Sequence, residues 1–142
     1  GLLPGALIRN NCIEFRCVNQ CLLPEDSTES FNRANFGERI YLPIAHGEGN
    51  YRLDASDLSQ LETNGQVLLR YAGDLSDGPG HGNPNGSVND IAGVRNAAGN
   101  IFGMMPHPER AVESFHPGLD GISVLRAFLA PLLGETVKLA SA

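Results

Sequence analysis

Along this chain the spacing of apolar positions changes period several times. Residues 11–22, NCIEFRCVNQCL, approximate alternation, with Cys12, Glu14 and Arg16 set against Ile13, Phe15 and Cys17. A period of two predicts a strand there. Residues 39–52, RIYLPIAHGEGNYR, predict a strand, a glycine-flanked loop and a resumption of the chain, and QVLLRYA (66–72) predicts another strand. DIAGVRN and NIFGMMPH, joined by AAG, predict a hairpin. Two stretches carry helical signals instead. DASDLSQLETNG (54–65) has Asp54 or Ser56 as N-cap and Gly65 as terminator. GISVLRAFLAPLLGE (121–135) puts Ile122, Leu125, Leu129 and Leu132 near one stripe, with Pro131 and Gly134 weakening its last turn. Residues 24–38 are polar and predict a long surface connection; 73–87, rich in glycine and proline, predict an irregular loop. GLLPG (1–5) reads as the end of a helix followed by a turn, the start of that helix lying outside the chain. Strands mixed with peripheral helices predict an α/β architecture.

The pattern breaks most abruptly at residues 101–110, where Ile101-Phe102-Gly103-Met104-Met105 runs into Pro-His-Pro-Glu-Arg. Each proline pushes the residue before it, Met105 and His107, towards extended geometry. Extended chain repeats every two residues, so His107 and Glu109 project from one face. A carboxylate in that position accepts the imidazole Nδ1–H and frees Nε2 for proton transfer, which is two-thirds of a nucleophilic triad. The plainer reading is a surface histidine beside a solvated glutamate. The apolar approach strand and the helix-forming sequence that follows weigh against it, because α/β folds place their sites beyond the ends of parallel strands.

Composition narrows the classes. At 142 residues the chain is one domain in size, and its net charge of −6 argues against nucleic acid, whose binding needs a basic face. No apolar stretch approaches the roughly 18 residues of a membrane span, and no signal-peptide pattern opens the chain. Three cysteines make no disulfide framework, so a reducing cytoplasm is the expected compartment.

Other candidates for chemistry each have a plain structural reading beside them. In PIAHGEGNY, Gly47 and Gly49 would let backbone amides approach a ligand and His46 offers a ligand or a base; a turn with an incidental histidine is the competing reading. NPNGS (83–87) by itself reads as a turn. Cys12, Cys17 and Cys21 lack the small flanking residues of a nucleophile elbow and the spacing of a zinc site, and Ser87 fails the same test. No phosphate-binding glycine loop is present, and no metal is expected.

Taken together, GLLPGAL, N-N-C-x-x-F-x-C, PIAHGEGNY, GQVLLRY and NPNGSVNDIAGVRNAAGNIFGMMPHPERA resemble the glutaminase subunit of phosphoribosylformylglycinamidine synthase. That subunit is a triad-type (class I) glutamine amidotransferase of purine biosynthesis, and the resemblance covers nearly the whole chain. It implies a flavodoxin-like α/β domain, incomplete at its N-terminus, with a C-terminal hairpin and helix. Residues 1–142 would be the C-terminal portion of a single amidotransferase domain. In the family the cysteine nucleophile stands on an elbow of the type G-x-C-N-G-F-Q, followed by a helix leading into GLLPGAL, so nucleophile and most of the oxyanion hole are expected outside this chain.

By the same resemblance His107 is the general base and Glu109 its orienting acid, while His46, Gly47, Glu48 and Gly49 belong to the segment closing over bound glutamine. The implied partners are the synthetase subunit and its small accessory subunit, with ATP and magnesium on the synthetase and no cofactor in this chain. Two alternatives stay open: a truncated, non-catalytic module that only binds the synthetase, and a hydrolase recruiting one of its own cysteines. With part of the sheet outside the chain, the isolated polypeptide is expected to be aggregation-prone or only partly folded.

Overall fold

The structure, a computed structural model, describes residues 1–26, 31 and 33–133. Seven strands and three helices follow in the order β1 (Ala6–Ile8), β2 (Arg16–Pro24), α1 (Arg33–Phe36), β3 (Ile40–His46), β4 (Asn50–Arg52), α2 (Ala55–Thr63), β5 (Val67–Tyr71), β6 (Ile91–Arg95), β7 (Phe102–Met104) and α3 (Asp120–Leu133). Five strands form one sheet in the order β3-β2-β5-β6-β7, and β1 pairs with β4 in a separate ribbon. The mixed α/β class and the C-terminal hairpin and helix are as the sequence predicts. Every pairing among the described residues is antiparallel, however, whereas the sequence reading placed the candidate site after a parallel strand. The short β6–β7 connection decides that pair, since parallel neighbours require a long crossover.

Several predicted boundaries move, for local reasons. The strand expected over 11–22 begins at Arg16, because residues 10–14 fold into a turn in which Ile13 N–H donates to the Asn10 carbonyl at 2.9 Å. Asn10 Nδ2 also donates to the Glu14 carbonyl at 2.8 Å, supplying the partner a ladder would have offered. Residues 1–5 contain no helix; only the turn at Pro4–Gly5 is present. The helix predicted over 54–65 forms at 55–63 and ends where Gly65 adopts φ +60°.

The main core lies where α3 covers the sheet, uniting Leu22, Ile40, Leu42, Leu68 and Leu69 with Val124 and Ala127. Phe31, in the segment predicted to be surface connection, is 1% exposed and stacks on Phe128 with ring centroids 5.5 Å apart. Burying such a ring contributes on the order of 2–3 kcal/mol. The buried stripe of α3 also differs from the predicted one. Gly121, Val124, Ala127 and Ala130 face inward, and Leu129 is 48% exposed. The side chain of Leu132 and residues 134–135 lie outside the described residues. The reason is close packing at the start of α3. A Cβ on Gly121 would collide with the carbonyl of Pro108, so the helix seats its small-residue face against the turn that carries His107 and Glu109. Among the described residues no helix is long and apolar enough to cross a membrane.

Candidate active site

Three elements hold the corner at His107. Strand β7 delivers the chain, a single 3-10 turn at Pro108–Arg110 reverses it, and the backbone N–H of His107 donates to the Pro43 carbonyl of edge strand β3 at 2.7 Å. Proline at the first position of the turn supplies its fixed φ without wasting a donor. The imidazole Nδ1 and Glu109 Oε1 lie 2.8 Å apart. Since the carboxylate only accepts, the proton of that bond sits on Nδ1, and among the described residues no hydrogen bond engages Nε2. The pair is partly open: the His107 side chain is 30% exposed and that of Glu109 58%. Arg110 Nε, 3.6 Å away, leans on the same carboxylate oxygen. A polarised base with a free, reachable Nε2 is suited to taking a proton from a nucleophile and returning it to a leaving group.

His46 is placed very differently. It ends β3, is 4% exposed, and has a partner at both ring nitrogens. Nδ1 lies 3.2 Å from Asn10 Oδ1, and Nε2 lies 3.4 Å from Asn85 Nδ2. The orientation of each amide follows from its other bonds. Asn10 Nδ2 donates to the carbonyls of Glu14 and His46, while its Oδ1 accepts from Gly49 N–H at 2.9 Å. Asn85 Oδ1 accepts from the N–H and hydroxyl of Ser87, leaving its Nδ2 to face the Gly49 carbonyl, the Tyr71 hydroxyl and the imidazole. His46 is therefore the neutral Nδ1–H tautomer, donating to Asn10 and accepting from Asn85. Burial, chiefly, holds its pKa below the ordinary histidine range, and the nearby His107 charge pushes in the same direction. Burial likewise pushes the Tyr71 phenol up.

The other residues singled out around His46 take separate roles in this arrangement. Gly49 is required by contact, since a Cβ there would lie 2.5 Å from the His46 ring. Gly47 is half-buried and its carbonyl accepts from Asn10 N–H, while Glu48 is exposed at the tip of the loop. The structure thus brings the AHGEG loop beside the His107 corner through β3, with the imidazole of His46 turned inward and only the loop tip outward. Asn10 escaped the sequence reading, and Asn85 and Ser87 entered it only as parts of a turn, with Ser87 rejected as a nucleophile. NPNGS does form a turn, yet Asn85 is 1% exposed and Ser87 4%. A run of asparagines in loops flanking a histidine was the available signal, and it specifies hydrogen-bonding capacity without specifying a partner. Among the described residues no three His, Cys, Asp or Glu side chains converge as a metal site would require.

Comparison with known proteins follows the same lines. The CobB/CobQ-like glutamine amidotransferase domain matches residues 4–118, from β1 through the His107–Glu109 corner. Phosphoribosylformylglycinamidine synthase subunit PurQ of Lacticaseibacillus paracasei is 49% identical over 139 residues, covering 97% of this chain and 57% of that protein. The corresponding subunit of Brucella abortus is 50% identical over 137 residues, covering 96% and 56%. The structure of PurLQS from Thermotoga maritima superposes with a TM-score of 0.71 at 40% identity, over 93% of this chain and 55% of that one. The chain spans little more than half the length of the relatives it matches. It belongs to the CobB/CobQ-like glutamine amidotransferase family and, within that family, is similar to the PurQ subunits of phosphoribosylformylglycinamidine synthase.

Proposed function

We propose that these 142 residues are the base-carrying, C-terminal portion of a glutaminase subunit that supplies ammonia to phosphoribosylformylglycinamidine synthase in purine biosynthesis. The observation that carries the reading is the 2.8 Å pairing of His107 Nδ1 with Glu109 Oε1, at a corner held against β3, inside the amidotransferase match. In this reading a cysteine in the part of the protein beyond these residues loses its proton to His107 Nε2. The thiolate attacks the side-chain amide carbon of glutamine, and His107 returns the proton to the departing ammonia. Water, deprotonated by the same nitrogen, then releases glutamate. Glu109 keeps the proton on Nδ1 and stabilises the imidazolium that forms. Glu48, at the loop tip, is the member of the AHGEG segment best exposed to meet a bound substrate.

The likeness to PurLQS supports other subunits of such a complex as partners; in this reading they are a synthetase subunit, which would use ATP and magnesium, and a small accessory subunit, working together in the cytoplasm. An apolar groove of about 270 Å³ between the β1 segment and strands β6 and β7, lined by Leu3, Tyr51, Ile91, Val94 and Met104, suits packing by a further part of the domain. The 142-residue chain alone is expected to release no ammonia from glutamine, while the full-length protein does. Loss of one triad member commonly costs about 10⁴ to 10⁶ in rate. Turnover by the short chain that disappears on Cys12→Ser or Cys17→Ser would sink this reading.

A further inference from the structure

A second cleft, of about 580 Å³, opens between β2 and residues 75–86, and neither His107 nor Glu109 lines it. Its floor is the alternating set Arg16, Val18 and Gln20, the three β2 side chains that share one face, and Cys12 and His81 stand at its sides. Gln20 is fully buried; its Nε2 donates to the carbonyls of Gly82 and Cys21, but its Oε1 accepts nothing. His81 Nδ1 is also buried without a partner. Buried polar atoms are paired in more than about nine cases in ten, so the unpaired Gln20 Oε1 marks an acceptor that a ligand in this cleft completes, whereas His81 Nδ1 packs against Gly73.

The cleft also holds a nucleophile beside a cation. Arg16 Nε lies 3.4 Å from Cys12 Sγ, and its Nη2 is steadied by Glu14 at 3.1 Å. The sulfur further approaches the carbonyls of Glu14 at 3.8 Å and Pro84 at 3.6 Å, to which the protonated thiol donates. The adjacent Ile13 is held at φ +61°, a left-handed conformation that strains a β-branched residue. That strained turn carries Cys12 to the start of β2, where Arg16 can reach it. Of the other two cysteines, Cys17 is exposed and Cys21 is buried.

We propose that Cys12 is a thiol–disulfide exchange site that admits an acidic low-molecular-weight disulfide to this cleft, with Arg16 facing its anionic part and Gln20 Oε1 receiving one of its N–H donors. The sulfur is prepared for it. Burial pushes the Cys12 thiol up, but the Arg16 guanidinium and backbone hydrogen bonds at Glu14 and Cys12 outweigh this and hold it below the ordinary cysteine range. In the exchange, Cys12 Sγ attacks one sulfur of the disulfide. The old S–S bond breaks as the new one to Cys12 forms, and the other half leaves as a thiolate that takes a proton from water. Cys12 is oxidised by the half that is reduced, and a second thiol reverses the step.

Oxidised glutathione and the neutral 2-hydroxyethyl disulfide are the probes, applied to the full-length protein near neutral pH with site-resolved mass spectrometry. Cys12 should acquire glutathione about fivefold or more faster than the more exposed Cys17, with Cys21 unmodified. Arg16→Gln should slow Cys12 with both probes, Arg16→Lys should hold the rate within about threefold of the original, and Gln20→Leu should slow glutathione alone. The proposal fails if Cys17 reacts as fast as Cys12, or if Arg16→Gln leaves the Cys12 rate unchanged. It fails equally if the neutral probe matches glutathione at Cys12, or if all three cysteines, Cys21 included, react alike.

Discussion

Two histidines of this chain are tied to one edge strand and have been given opposite surroundings. His46, at the end of β3, is sealed among asparagine amides with both nitrogens occupied. His107, tied by its backbone to Pro43 of the same strand, keeps a carboxylate on one nitrogen and, among the described residues, no hydrogen bond on the other. Amides hold an imidazole neutral and fixed, because they offer dipoles without charge. A carboxylate makes the imidazolium affordable, so the ring can gain and lose a proton. The same side chain therefore serves as a structural pin in one place and is equipped as a base in the other. Burial and the charge of the partner, not the residue type, make the difference.

That contrast breaks most visibly if the two histidines are exchanged for asparagine in the full-length protein. His107→Asn should lower glutamine hydrolysis by about 10⁴ to 10⁶ with little change in the melting temperature. His46→Asn should do the reverse, moving the melt far more than the hydrolysis rate; a variant of His46 that melts normally but is catalytically dead would overturn the division. Next in size is Glu109→Gln, expected to cost about 10² to 10⁴ in kcat, the range spanned by general acid–base assistance. Its carboxylate is more than half exposed, so an effect at the lower end of that range is the sharper expectation.

Asn85→Ala probes the other side of the comparison. It strips donors from His46 Nε2, the Gly49 carbonyl and the Tyr71 hydroxyl, and should destabilise folding by about 1–3 kcal/mol in denaturant titration. An unchanged midpoint would mean the amide network does not hold the loop. The smallest effect concerns pH. The folded-state pKa of His46 lies below its unfolded value of 6.5, so below that value the unfolded chain binds a proton that the folded chain resists. The His46 contribution to stability is fully present above pH 6.5 and declines as the pH falls through the folded-state pKa. Melts recorded from pH 8 to 5 should show a shallower decline for His46→Gln than for the natural sequence, and parallel curves would contradict the buried neutral ring.

Much of the His107 corner was legible because the information is local. Two prolines and a two-residue spacing pointed to the pairing, but the expected extended chain is not what makes it: Pro108–Arg110 forms a 3-10 turn, and that turn brings Glu109 back to His107. The helix at 55–63 was legible for a similar reason, since cap and terminator are neighbours of what they delimit. The Asn10–His46–Asn85 network was not. Its members come from three separate segments, and an asparagine in a polar loop looks the same whether it faces water or pins an imidazole. Phe31 was misplaced likewise, because a single ring in a polar stretch carries no period; only the arrival of Phe128 on α3 gives it a core to enter.

By itself, then, the amino-acid sequence determined the elements with a clear period, the pairing of His107 with Glu109, and the family to which its motifs point. Tertiary structure alone decided that β2 starts at Arg16, that α3 turns its small residues inward against Pro108, and that His46 is buried while His107 is open. The physical reason is the reach of the interactions involved. Backbone preference acts over two to four residues and can be read along the chain, whereas burial and the pairing of polar groups depend on atoms that only folding brings together.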